Sequence, residues 1–262
     1  MMIVDILKQA CQQVHAKTKD LAGTALANKQ MGKGAGGDIS RRIDLIAEKT
    51  VIDLIRKQGI ESTIIGEECG RLDGKQGYIV MDAIDGTTNA LRGTPFFCCS
   101  IAYATDFYLS AVVDAAIIDL SRGDLYYASK NKGAFLNNKR ILVKRERSPD
   151  TIIGINMSGL KPETVERLAP IIAQSYHIRQ YGANALEMCF LARGFLDAYI
   201  DLRDKIRPTD IAAGYLITKE AGAKIYSGQG ANLDSDLDIK TRLSYAAVSN
   251  DRMHEQLIGL FV

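Results

Sequence analysis

The segment DAIDGT, at residues 82–87, is the stretch of this sequence that decides its fold and chemistry. It follows a short apolar run, residues 77–81, which is typical of a buried strand. We expect that strand to end at Asp82 and a helix to begin near Gly86. Two carboxylates three residues apart at such a junction can share divalent metal ions.

The oxygen atoms of this segment are suited to a hard cation. If the chain turns after Ile84, its carbonyl and the carboxylates of Asp82 and Asp85 converge as ligands of the kind that Mg2+ accepts. The amides of Gly86 and Thr87 would begin a helix whose unpaired N–H groups favour a phosphate. An ordinary Asp-Gly turn is the alternative that this segment alone leaves open.

Two more acids have suitable settings. Residues 62–65 predict another strand, after which Glu67 lies at a strand end, where active sites of α/β sheets collect. Asp210 falls in the first turn of a helix predicted over residues 210–221; taken alone, it is a favourable N-terminal charge. Together with Asp82 and Asp85, these acids point to metal-dependent phosphate chemistry.

An upstream helix adds a further acid. Apolar residues recur at helical spacing over residues 41–58, which predicts an amphipathic helix with Ser40 as its N-cap. Asp44 lies in the first turn. It could belong to the metal site or be a surface charge that stabilises the helix dipole, and the pattern leaves both open.

The glycine-rich segment GKGAGG, residues 32–37, matches the dinucleotide-binding pattern G-x-G-x-x-G. That pattern requires a strand directly before it, whereas residues 3–27 predict a helix. We therefore expect a mobile loop near the active site.

Three motifs in order resemble the inositol monophosphatase family: GEE at 66–68, DAIDGTTN at 82–89 and TDIAAG at 209–214. The resemblance spans nearly the whole chain. It is greatest to the archaeal branch that combines inositol monophosphatase with fructose-1,6-bisphosphatase activity, through RRIDLIAE at 41–48 and RPTD at 207–210. Ala83 stands where the family usually has proline, and Thr209 replaces a frequent tryptophan. Neither departure removes a charged or hydroxyl group.

The resemblance implies the metal ligands. Glu67, Asp82 and the Ile84 carbonyl would hold the metal that carries the nucleophile, and Asp82, Asp85 and Asp210 the second metal. Two or three Mg2+ ions per site are expected, with Mn2+ as an alternative; a third would contact Asp44 through water. The residues expected to act in catalysis are Glu67, Asp82 and Thr87, of which Glu67 and Thr87 would orient the attacking water.

Substrate binding is expected on both sides of this centre. Asp201 could accept sugar hydroxyls, and Arg203, with Lys205 and Arg207, forms a basic edge for a second phosphate unless it is a solvated loop. The full set expected to contact substrate is Asp85, Gly86, Thr87, Thr88, Asp201, Arg203 and Asp210.

Composition excludes other classes of protein. The chain has 262 residues, 47% of them hydrophobic, and no long apolar span. A net charge of +2 argues little for nucleic-acid binding. Five cysteines without a metal-type pairing indicate a reduced compartment, so we expect a cytoplasmic protein with no membrane partner. The family resemblance further implies a homodimer.

The order of predicted elements indicates an α/β protein, and the resemblance implies an α+β layered sandwich with αβαβα layers. Residues 1–148 should form a metal-site half around an antiparallel sheet, and residues 149–262 a half with a second, partly parallel sheet and the substrate-side residues. The site would lie between the halves.

The function that follows is a Mg2+-dependent phosphomonoesterase. It would hydrolyse inositol 1-phosphate and/or fructose 1,6-bisphosphate by in-line attack of a metal-activated water. A phosphatase acting on 3'-phosphoadenosine 5'-phosphate or NADP would share the same metal site and is the alternative. A non-catalytic binding protein is less favoured, because it should have lost one of the residues Glu67, Asp82, Asp85, Thr87 and Asp210.

Overall fold

The computed structural model describes residues 2–143 and 150–261. Its helices are α1 (Ile3–Thr18), α2 (Arg42–Lys57), α3 (Thr87–Arg92), α4 (Pro162–Gln174), α5 (Asn184–Ala192), α6 (Pro208–Glu220) and α7 (Asp251–Phe261). Its strands are β1 (Gln30–Lys33), β2 (Ile39–Arg41), β3 (Thr63–Gly66), β4 (Gly70–Leu72), β5 (Tyr78–Asp85), β6 (Cys98–Ala104), β7 (Val112–Asp119), β8 (Leu125–Ser129), β9 (Gly133–Leu136), β10 (Lys139–Ile141), β11 (Ile152–Ile155), β12 (His177–Arg179), β13 (Ala198–Ile206), β14 (Lys224–Ser227) and β15 (Leu243–Val248). Among the described helices, none has the length and apolar character needed to cross a membrane.

The larger sheet has eight strands in the order β10-β9-β8-β7-β6-β5-β3-β4. Neighbouring strands run antiparallel, as expected, except that β3 and β5 are parallel, with Gly66 opposite Met81. Because parallel strands end at the same edge of a sheet, Glu67 and Asp82 emerge side by side. The one departure from the predicted antiparallel sheet therefore assembles the acids.

The second sheet has five strands in the order β12-β11-β13-β15-β14. Strand β11 runs parallel to both neighbours, whereas β15 is antiparallel to β13 and β14. The predicted partly parallel sheet is confirmed. Strand β13 leads directly to α6, which carries Asp210 at its start.

Three apolar cores lie between the five layers of helices and sheets. One core lies between the pair α1 and α2 and the larger sheet, and a second joins that sheet through α5 and α6 to the smaller sheet. A third lies under α4 and α7. Adjacent Cys98 and Cys99 contribute to different cores, because successive strand residues point to opposite faces. The αβαβα sandwich is confirmed.

Several element bounds differ from those predicted. Helix α1 ends at Thr18 rather than at residue 27; turns follow, and Gly23 adopts a left-handed φ of 75°. Strand β5 continues past Asp82 to Asp85 through a register shift. There the Asp82 carboxylate accepts the Ile84 amide at 3.1 Å, which satisfies the irregular backbone.

Other differences concern caps and the chain after the larger sheet. Arg41, not Ser40, is the N-cap of α2, and the Ser40 hydroxyl donates to Glu68 instead. The sequence also predicts a strand over residues 141–144 and none over residues 133–136. The structure has β10, which ends at Ile141, and β9, which is Gly133–Leu136. Residue 144 and the predicted boundary at 148/149 lie outside the described residues.

Candidate active site

A cleft of about 500 Å3 opens where β3, β5, α3 and α6 begin or end. Every predicted site residue lines it except Asp201 and Arg203. The residues brought together are Asp44, Glu67, Asp82, Ile84, Asp85, Gly86, Thr87, Thr88 and Asp210. They come from sequence segments up to 166 residues apart (210 − 44), so the tertiary fold makes the cleft.

An acid cluster forms the floor of the cleft. Glu67, Asp82 and Asp210 each place a carboxylate oxygen within 4.8 Å of the others. Asp85 lies beside them, where its Oδ2 accepts the Ala185 amide at 2.7 Å. This hydrogen bond ties the metal-site segment of the larger sheet to the start of α5.

Burial makes the negative charge of this cluster unfavourable. Desolvation raises the pKa of Glu67 to about 8 and of Asp85 to about 7, and it raises the pKa of Asp82 well above its ordinary value. Mutual repulsion adds to each shift. Closely spaced hard oxygen donors with uncompensated charge fit a divalent cation, so this donor set could bind metal.

Arg207 is the cation that the protein itself places in the cluster. Its Nη2 lies 2.9 Å from Glu67 Oε1, and its Nε lies 3.3 Å from Asp210 Oδ1. Its Nη1 lies 3.3 Å from Asp38 Oδ2, in the segment that joins β1 to β2. The sequence placed Arg207 on a basic edge and did not predict this contact with the acids.

Asp44 and Thr87 meet on the other side of the cleft. Asp44 is buried at the third position of α2, where it accepts the Arg41 amide at 2.8 Å. The Thr87 hydroxyl lies 3.0 Å from the Ile84 carbonyl and 3.4 Å from Asp44 Oδ1. The surface-charge interpretation of Asp44 is therefore wrong, because its carboxylate faces the cleft. Burial raises its pKa to about 7.

Gly86 allows this part of the cleft to close. Its φ is 87°, and an added Cβ would lie 3.0 Å from the Ala183 Cβ and 3.1 Å from the Phe96 carbonyl. Both the left-handed backbone and the close packing require glycine here. Gly86 and Thr87 also line the cleft, so the backbone at the start of α3 borders the space that a ligand would enter.

The comparisons with known proteins agree with this geometry. A model of the inositol monophosphatase family matches residues 2–262. The chain belongs to the inositol monophosphatase family. It is accordingly a phosphatase, a phosphoric monoester hydrolase, and its family is metal-dependent.

Individual relatives of this family member share most of its length. It is 35% identical to a fructose-1,6-bisphosphatase/inositol-1-monophosphatase of Methanothermobacter thermautotrophicus, over 94% of this chain and 92% of that protein. It is 32% identical to a bifunctional NADP phosphatase/NAD kinase of Methanococcus maripaludis, over 98% of this chain but 49% of that protein. A solved inositol monophosphatase-fructose 1,6-bisphosphatase structure superposes with a TM-score of 0.88 at 28% identity, covering 99% of this chain and all of that one.

Asp201 and Arg203 of this phosphatase lie away from the cleft lining. Asp201 is fully buried, and its carboxylate accepts two donors of Arg203, at 2.9 Å from Nε and 2.7 Å from Nη2. Arg203 lines a second cavity, of about 380 Å3. The two side chains predicted to contact the sugar therefore bind each other in this structure.

Glu48 is a functional position that the sequence analysis missed. Its carboxylate accepts the amides of Glu68 and Cys69, at 3.1 and 2.6 Å, and so holds the turn that carries Glu67. The signal was present, because Asp44 and Glu48 are four residues apart and share one helix face. The glycine-rich segment, predicted as a loop near the site, lies there as the connection between β1 and β2, with the Gly36 amide donating to the Glu67 carbonyl.

Proposed function

We propose that this phosphatase hydrolyses the sugar phosphates inositol 1-phosphate and/or fructose 1,6-bisphosphate with Mg2+. The observation that carries the proposal is the cluster of Glu67, Asp82 and Asp210 within 4.8 Å, facing the Thr87 hydroxyl across one cleft. Relatives named as dual fructose-1,6-bisphosphatase/inositol-1-monophosphatases match almost end to end, which supports this substrate class.

The metal ligands follow from the donor atoms. Glu67, Asp82 and the Ile84 carbonyl would hold one Mg2+, and Asp82, Asp85 and Asp210 a second. Asp44 would contact a third through water. Oxygen-only donors suit Mg2+, and Mn2+ accepts the same set.

The protein groups prepare a water for attack on phosphorus. Bound Mg2+ lowers the pKa of water and neutralises phosphoryl oxygens. The Thr87 hydroxyl has two acceptors within reach, the Ile84 carbonyl at 3.0 Å and Asp44 at 3.4 Å. A hydrogen bond donated to Asp44 would leave the hydroxyl oxygen free to accept a hydrogen bond from the attacking water, while Glu67 orients the same water. The amides of Gly86 and Thr87 would hold the phosphate for in-line attack with inversion.

A covalent phosphoenzyme is not part of this proposal. The thiol nearest to the metal ligands, Cys98, donates to Asp85 at 3.7 Å and is fully buried. Burial raises the pKa of Cys98 well above its ordinary value, so it stays protonated and is a poor nucleophile. The two other thiols on the same sheet and on α5, Cys99 and Cys189, are buried in the same way.

The substrate-side residues are proposed in two groups. Asp85, Gly86, Thr87, Thr88 and Asp210 line the cleft and can contact the phosphate ester directly. Asp201 and Arg203 could contact a sugar or second phosphate only if their mutual pair opens, since each occupies the other.

A nucleotide phosphatase acting on NADP or 3'-phosphoadenosine 5'-phosphate is the second candidate. It uses the same metal site, and the relative named as a bifunctional NADP phosphatase/NAD kinase favours it. A non-catalytic binding role is least supported, because every acid and the Thr87 hydroxyl are retained.

We further propose that the protein is cytoplasmic and forms a homodimer. We propose also that each chain consists of two halves, residues 1–148 and 149–262. The division is supported by the eight-stranded sheet, which lies in the first half, and the five-stranded sheet, which lies in the second. The reducing compartment is supported by five free cysteines. No nucleic-acid or membrane partner is proposed.

The test is phosphate release with Mg2+ or Mn2+ from inositol 1-phosphate, fructose 1,6-bisphosphate, 3'-phosphoadenosine 5'-phosphate and NADP, beside a chelated control. Metal-dependent turnover of the first two supports the proposal, and preference for the nucleotides supports the second candidate. Asp85→Asn should remove turnover without unfolding the protein. Asp53→Asn, at an exposed surface pair, is the matched control and should retain it.

A further inference from the structure

Arg207 holds three carboxylates that come from three separate parts of the chain. Glu67 follows β3, Asp210 lies in α6, and Asp38 lies before β2. Only 13% of the Arg207 side chain is exposed, whereas Asp38 is 76% exposed. The guanidinium thus reaches inward to two acids of the cluster and outward to the rim of the cleft.

Arg207 contacts carboxylate oxygens of two of the three acids that could hold a metal, Glu67 and Asp210. Asp210 Oδ2 accepts the Arg207 amide at 2.9 Å, and its Oδ1 accepts both Arg207 Nε and the Thr209 hydroxyl. Glu67 Oε1 is engaged by Nη2. A cation that binds Asp210 must share or take an oxygen that Arg207 contacts, and a cation beside Glu67 would lie close to the same guanidinium. The two positive charges would repel each other.

The surrounding backbone is shaped around the guanidinium. A Cβ at Gly36 would lie 2.7 Å from Arg207 Nη1, so a side chain there would push the guanidinium away. The Gly36 amide also donates to the Glu67 carbonyl at 2.8 Å. The connection between β1 and β2 therefore covers Arg207 while it contacts the acids.

We propose that Arg207 is an internal counter-cation of the acid cluster, which bound metal displaces from Glu67 and Asp210. This inference rests on the proposed function, since it concerns the same metal centre. In the metal-free protein the guanidinium offsets repulsion between buried carboxylates, and its displacement weakens metal binding. Arg207 is a positioning residue, and its contacts with the acids lower the affinity of the site for metal.

The test compares Mn2+ binding to chelator-stripped wild-type protein, Arg207→Met and Arg207→Lys at pH 8, by isothermal titration calorimetry. Methionine keeps an unbranched chain but removes the charge. We expect Arg207→Met to bind Mn2+ roughly tenfold more tightly, because one competing charge next to the ligands is gone. Arg207→Lys should fall between the two, since it keeps the charge but cannot bridge Glu67 and Asp210 together.

Thermal unfolding in chelator supplies a second readout. Metal-free Arg207→Met should unfold at a lower temperature than wild type, and added Mn2+ should stabilise it more than wild type. Arg122→Met, which removes an exposed arginine, is the matched control and should change neither quantity. If Arg207→Met does not fold without metal, the Mn2+ affinity of Arg207→Lys tests the inference in its place.

An unchanged or weaker Mn2+ affinity in the Arg207 variants overturns the inference, because the guanidinium would then assist the metal ligands rather than compete for them. The proposed function survives that outcome if metal-dependent phosphate release persists in wild type. If wild type binds no Mn2+ and releases no phosphate, the proposed function and the inference fail together.

Discussion

Two arginines four residues apart, at the end of β13 and the start of α6, have opposite surroundings. Arg203 pairs with one carboxylate, Asp201, through two hydrogen bonds of 2.9 and 2.7 Å. Arg207 is shared among Asp38, Glu67 and Asp210. The first pair is balanced in charge, whereas the second group keeps a surplus of negative charge.

This difference in charge balance distinguishes a structural ion pair from a candidate metal-binding site. A buried pair whose donors and acceptors are all matched has no remaining demand for a ligand. Acids that outnumber their cation repel one another, and this repulsion favours the binding of a further cation. The same strand-helix junction therefore carries both a stabilising contact and part of the candidate metal site.

The largest expected effect comes from removing the charge of Asp82, which lies beside Glu67 and Asp210 in the acid cluster. Asp82→Asn keeps the shape and the acceptor for the Ile84 amide but deletes a ligand charge. We expect metal-dependent turnover to fall on the order of a thousandfold, because metal clamps contribute several kcal/mol to the transition state. Steady-state kinetics with Mg2+ measures this.

The same Asp82→Asn variant should be more stable than wild type in chelator, because a buried carboxylate beside Glu67 and Asp85 is gone. Urea unfolding measures that difference. Turnover within tenfold of wild type, or a less stable metal-free variant, would contradict the conclusion that the acid cluster carries excess negative charge whereas the pair of Asp201 and Arg203 does not.

Among these substitutions, breaking the ion pair of Asp201 and Arg203 should cause the largest loss in the free energy of unfolding. Asp201→Asn removes the charge that Arg203 faces, and we expect a loss of roughly 3 kcal/mol in the free energy of unfolding, the low end for a buried pair because Arg203 keeps some exposure. Asp53→Asn, at an exposed pair with Lys49, should change it by about 0.5 kcal/mol or less. A changed KM in Asp201→Asn would support the proposed sugar contact, and equal stability of both variants would sink the assignment of a buried pair.

A smaller effect is expected at Thr87, which lies between the acid cluster and Asp44. Thr87→Val removes the hydroxyl while keeping the branched shape, so kcat should fall roughly a hundredfold, as for loss of a group that orients a proton transfer. Thr87→Ser keeps the hydroxyl and should retain most activity. Equal activity of the valine and serine variants would exclude the proposed role.

The smallest expected effect is a pH dependence of the metal-free protein. The folded-state pKa of Glu67 is raised from 4.5 to about 8, so between those values the folded protein holds a proton that the unfolded chain has released. Stability should therefore fall as pH rises from about 5 to about 8. Urea unfolding in chelator at several pH values measures this slope.

Metal provides the control for that slope. Saturating Mg2+ should flatten or reverse the fall in stability, because metal binds the ionised carboxylates and releases their protons. Stability that rises with pH in chelator would contradict this prediction, because it would mean that the folded protein favours the ionised carboxylates.

Much of the fold could be predicted from sequence because its signals are local. The apolar run before Asp82 and the helical spacing over α2 each follow from residues close in the chain. The end of α1 at Thr18 and the continuation of β5 to Asp85 could not, because they depend on packing of Gly23 near Gly93 and on pairing with β6. Element ends are set by such tertiary partners.

The candidate site divides in the same way. Glu67, Asp82, Asp85 and Asp210 carry local signals, since each lies at a strand end or a helix start. Glu48 and Arg207 carry none that identifies their partners, which are the turn after β3 and acids from distant segments. Asp201 and Arg203 had the right chemistry for a substrate, but their side chains meet each other first.

By itself, the sequence determined the layered fold, the family and the acids that converge, because motif order and hydrophobic periodicity are properties of the linear chain. Only the tertiary structure decided which arginine faces a single acid and which faces three. Charge balance in a buried site depends on distances of a few ångström between segments far apart in sequence, and no local pattern encodes those distances.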